Sequence, residues 1–90
     1  MMTPKDVTEQ MEQHRALCAM WNNLLPERAI DPYQFYVWLR LHEFARVAAA
    51  IERTARKYTK LSGQMTADHL VRFCSKIAND LKAQSLRAAA

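Results

Sequence analysis

The residues best placed to do chemistry in this chain are cations. Arg46, Arg53, Arg56, Lys57 and Lys60 recur at helical spacing, and no acidic residue occurs between Arg53 and Ala67. Such a row can align with phosphates, and each neutralised phosphate makes binding more salt-dependent. Arg72 and Lys76 further along could widen the patch. The competing reading is a solvated helix face, because charged residues belong outside.

A second group is aromatic. Tyr33, Phe35, Tyr36 and Trp38 crowd into six positions, followed by Arg40. Tyrosine, tryptophan and arginine are favoured where two proteins meet. Tyr33, Tyr36, Trp38 and Arg40 therefore form a candidate partner surface. The competing reading is core packing of a short helix that is apolar nearly all round.

Metal and catalytic chemistry have less to stand on. His14 and Cys18 lie four apart, a spacing that can supply two zinc ligands, with His42, His69 or Cys74 as the remaining donors. No CxxC or HxxxH supports them, so neither a metal nor a cofactor is expected. There is no glycine-rich phosphate loop and no nucleophile motif, and the carboxylates are scattered. The expectation is a non-enzymatic protein.

Helices must position these groups. Ninety residues with one glycine and three prolines disfavour a hairpin-rich β fold. Thr3-Pro4 followed by Asp6 and Glu9 opens a first helix. Val7, Met11, His14, Cys18, Trp21 and Leu25 then recur as a narrow coiled-coil-type seam, ended by Pro26. Asp31-Pro32 opens a short second helix, with Gln34 placed for a capping box. A third runs from about Glu43 to Leu61, ended by Ser62-Gly63. Thr66 caps a fourth, whose apolar face is Leu70, Phe73, Cys74, Ile77, Ala78 and Leu81.

The apolar phase jumps between the second and third helices. Phe35, Trp38 and Leu39 make one face, while Phe44, Val47, Ala48, Ile51, Ala55 and Tyr58 make another on nearly the opposite side. Either the helix breaks near His42, or one helix buries its halves against different neighbours. Trp21, Trp38, Phe44, Ile51, Phe73 and Ile77 are the expected core.

The fold expectation is all-α: one domain over residues 1–90, a small compact bundle of about four helices with a short aromatic second helix. The termini, about 1–3 and 85–90, are expected to fray. Cys18 and Cys74 read as small hydrophobes rather than a disulfide. No apolar run is long enough to span a bilayer and no secretory stretch opens the chain, so a cytoplasmic location without membrane contact is expected.

Charge is uneven. Residues 1–31 hold three cations and five carboxylates, whereas residues 32–90 hold ten and four. An acidic partner for the later part follows, either a nucleic-acid phosphate backbone or an acidic protein. The expected function is a helical binding module accessory to a nucleic-acid complex. The alternative is a protein–protein adaptor or homodimerisation module using segment 33–41.

Overall fold

The computed structural model describes residues 3–89 and is all-α, with four helices and, among the described residues, no strand. The first, α1, spans Pro4–Leu24. Thr3 Oγ1 accepts from the Asp6 amide at 3.2 Å, and Asp6 Oδ2 accepts from the Thr3 amide at 3.1 Å. This reciprocal box satisfies two orphan donors. The Thr3 amide and hydroxyl hold the Asp6 carboxyl below its usual value.

The second helix, α2, spans Tyr33–Leu41. Asp31 assists from one residue further out than a cap, its Oδ1 accepting from the Tyr33 amide at 2.9 Å. Pro32 itself holds the N-cap position with no side-chain bond, so the box expected with Gln34 does not form. Proline already suits the helical φ, and it displaces Asp31 from the cap.

The chain then breaks. His42 and Glu43 are extended, with ψ of 154° at both. Of the two arrangements open in the sequence, two helices are therefore the one adopted. The third, α3, spans Phe44–Lys60 and buries Val47, Ala50, Ile51, Thr54 and Ala55. Its turn uses two left-handed residues, Ser62 at φ 54° and Gly63 at φ 74°. The left-handed φ of Gly63 favours glycine, and a Cβ there would lie 3.2 Å from Tyr58 Oη, a tight contact from which the ring would have to shift slightly. The fourth, α4, spans Ala67–Ala89, and the His69 amide donates to Thr66 Oγ1 at 3.2 Å.

An aromatic trio forms the centre. Trp21, Phe35 and Trp38 are buried, with ring centroids 5.6–6.0 Å apart. Each indole N–H is satisfied: Trp21 donates to the Arg28 carbonyl at 2.8 Å and Trp38 to Ser75 Oγ at 2.9 Å. Leu17, Leu25, Ile51, Leu70 and Cys74 complete the interior. Phe44, Phe73 and Ile77, expected inside, remain half-buried at its edge.

One expectation fails at the start of α1. Only the lower part of the α1 seam is covered, since Val7 and Met11 are exposed. The pattern persists beyond the helices that could pack on it. Residues 85–89 belong to α4 and are exposed. Met1, Met2 and Ala90 lie outside the described residues. The body is a slab of 43 × 32 × 16 Å.

Candidate functional site

Arg53, Arg56, Lys57 and Lys60 project as exposed side chains from the second half of α3. Their opposite face is anchored by Ile51, Thr54 and Ala55. Thr54 Oγ1 donates to the Ala50 carbonyl at 2.7 Å, so burying this hydroxyl leaves no lost hydrogen bond. The row from Arg53 to Lys60 rises about 10 Å along the helix. Lys57 and Lys60 sit in the last turn, where the helix dipole favours positive charge.

The seven cations singled out in the sequence do not form one continuous patch. Arg56 and Lys60 border a depression of about 420 Å³ with Leu24 of α1 and Glu52, Ala55 and Thr59 of α3. Arg72 lines a different one beside Asp31 and Asp68. Arg46 is half-buried and shares a third with Arg40, His42 and Glu43. Lys76 is exposed on α4. Carboxylates accompany Arg72 and Arg46, and Glu52 and Glu27 border the α3 row, Glu27 through its contact with Tyr58. The row Arg53–Lys60 is therefore the centre of the candidate site, and Arg72 belongs to another surface.

The aromatic candidates separate too. Tyr33 is 58% exposed, and Arg40 is exposed. Tyr36 is half-buried, stacked on His14 at 3.8 Å. Trp38 is 2% exposed and bonded to Ser75, so its assignment to a partner surface is corrected: it is core. A hydrophobic ring with one N–H serves either purpose, and here α4 supplies the acceptor.

His14 and Cys18 do approach each other, with Sγ 3.8 Å from Nδ1. However, His14 Nε2 lies 2.8 Å from the Pro32 carbonyl, which ties α1 to the start of α2. Among the described residues no three of histidine, cysteine, aspartate and glutamate converge as a metal site. Both cysteines are free; burial pushes the Cys18 thiol up and the Cys74 thiol up to about 12.

Arg28 has the most consequential contacts missed in the sequence. Its Nε donates to the Met65 carbonyl at 2.9 Å and its Nη2 to the Gly63 carbonyl at 3.1 Å. Nη1 donates to the Glu27 carbonyl at 3.0 Å, and the guanidinium lies 5.6 Å from the Tyr58 ring centre. The Tyr58 hydroxyl donates to Glu27 Oε2 at 3.3 Å. The loop after α1 thus clasps the loop after α3, fixing the end of the helix that bears the cationic row. Loop position and a nearby proline were its only traces in the sequence.

His42 is the other omission. It is 6% exposed, and its Nδ1 is buried without a hydrogen-bond partner. Burial, with Arg46 and Lys82 nearby, lowers its pKa. No helix of the described residues is long and apolar enough to cross a membrane. Comparison with protein families, with curated proteins and with solved structures finds no match for this chain.

Proposed function

We propose that the chain is a non-enzymatic helical module that binds the phosphate backbone of a nucleic acid through Arg53, Arg56, Lys57 and Lys60. The single observation carrying this reading is that the four side chains stand exposed together on one rigid helix. Four exposed cations on one helix suit phosphates and carry little base information. Arg46 and Lys76 would add peripheral charge.

The test is a titration of labelled duplex and single-stranded oligonucleotides at low and physiological salt. Neutralising three or four phosphates gives a slope of about −3 in log affinity against log salt. Arg53→Glu with Lys60→Glu should weaken binding by more than tenfold while leaving the helical spectrum intact. No binding at low salt, or binding indifferent to salt, would reject the reading.

Tyr33 favours a second reading, a protein–protein adaptor. It is a large ring left in water beside Tyr36, their centroids 6.4 Å apart, with Arg40 exposed on the same helix. An acidic protein held through Arg40 and Tyr33 would be lost on Tyr33→Ser and kept by the α3 charge reversal.

A further inference from the structure

Helices α1 and α4 outrun the body at the same end. Gln13 borders the depression formed by Leu39–Arg46, which places it level with the α2–α3 corner. Lys82 Nζ reaches the Leu41 carbonyl at 3.5 Å, which places it at the same corner. Residues 4–12 therefore carry α1 about 13 Å beyond the corner, and residues 83–89 carry α4 about 10 Å beyond it. The two projections make a fork.

Both prongs are exposed apart from half-buried Gln10. Val7 and Met11, 43% and 53% exposed, continue the seam that becomes half-buried at His14 and Cys18 and buried at Trp21 and Leu25. Leu86 on the other prong is 65% exposed. The prongs also differ in sign. Asp6, Glu9 and Glu12 outweigh Lys5 on α1, whereas the α4 projection, residues 83–89, carries Arg87 and no carboxylate, with Lys82 and Asp80 at its base.

We propose that this fork docks a second copy of the chain, each α1 projection lying along the α4 projection of the other protomer about a two-fold axis. The charge pattern selects this occupant. The complement of the acidic prong is present on the same molecule, and a two-fold arrangement matches both pairs at once. Pairing α1 with α1 would instead set carboxylates against carboxylates. The apolar side chains exposed on the prongs would be covered by the same contact. Prongs of two or three turns make a small interface, at the low end of specific ones, of the weak and transient kind. The fork lies at the opposite end of α3 from Lys57 and Lys60, so the inference does not rest on the nucleic-acid reading.

The test is sedimentation equilibrium of the whole chain without nucleic acid. The mass should rise from one chain to two with concentration. Met11→Asp, an exposed position, should shift the midpoint at least tenfold with an unchanged helical spectrum. Glu9→Lys with Glu12→Lys, and separately Lys82→Glu with Arg87→Glu, should each weaken self-association, and an equimolar mixture of the two variants should restore dimers. A single-chain mass up to millimolar concentration would overturn the proposal, as would a dimer indifferent to Met11→Asp or a mixture that fails to associate. A dimer abolished by Tyr33→Ser alone would also overturn it.

Discussion

Replacing Arg28 by alanine should cost this domain a large part of its stability. Two of the hydrogen bonds lost are long-range, to Met65 and Gly63 at 2.9 and 3.1 Å. Bonds from a charged donor contribute about 1.5–3 kcal/mol each, so two at the lower end give about 3 kcal/mol. Loss of the contact with Tyr58 adds about 0.5 kcal/mol. Arg28 is half-exposed, and water returning to the freed carbonyls offsets about 1 kcal/mol. The expected loss is about 2.5 kcal/mol, against a total of about 5–10 kcal/mol for a domain of this size. Urea unfolding, followed through tryptophan fluorescence, reads it as a lower midpoint at constant slope. Thermal unfolding should fall by about 10–20 °C. Arg28→Lys should recover less than half, because one ammonium cannot reproduce the planar fork. A loss below about 1 kcal/mol in the alanine variant, or full recovery by lysine, would refute the clasp.

Gly63→Ala should destabilise by about 1–2 kcal/mol, because a positive φ and the 3.2 Å approach to Tyr58 Oη both oppose a methyl group; unchanged thermal unfolding would contradict this. His42 should make stability fall in mild acid. Its folded pKa lies below the ordinary 6.5, so above pH 6.5 the contribution is fully present. As pH falls below 6.5, the unfolded chain takes up a proton that the folded chain refuses, and stability is lost. Burial first, then Arg46 and Lys82, oppose that proton, while Asn79 partly favours it. Denaturant unfolding across this range should show the slope, and His42→Gln should flatten it.

What the sequence made legible was local. Thr3-Pro4 and Thr66 mark helix starts because their partners lie three residues away. The phase jump at His42 is real, yet periodicity alone left two arrangements open; the extended backbone at His42 and Glu43 decides it. The α1 seam overstated the core because a repeat reveals which face is apolar and not how far its neighbours extend. Arg28 was invisible for a different reason. Its decisive acceptors are backbone carbonyls 35 and 37 residues away, and a carbonyl leaves no mark in residue type. The cationic row was readable as a row, but its separation from Arg72 depends on which grooves the helices leave between them.

The slab's short dimension has a bearing on what such a molecule can recognise. Sixteen ångströms between Cα extremes is about two helix layers, whose axes pack about 10 Å apart. A slab of two layers leaves one interior seam, filled here by the rings of Trp21, Phe35 and Trp38. Every helix then has one side on that seam and another on a broad outer face. Selectivity would then come from matching the contour and charge of something at least as large as itself.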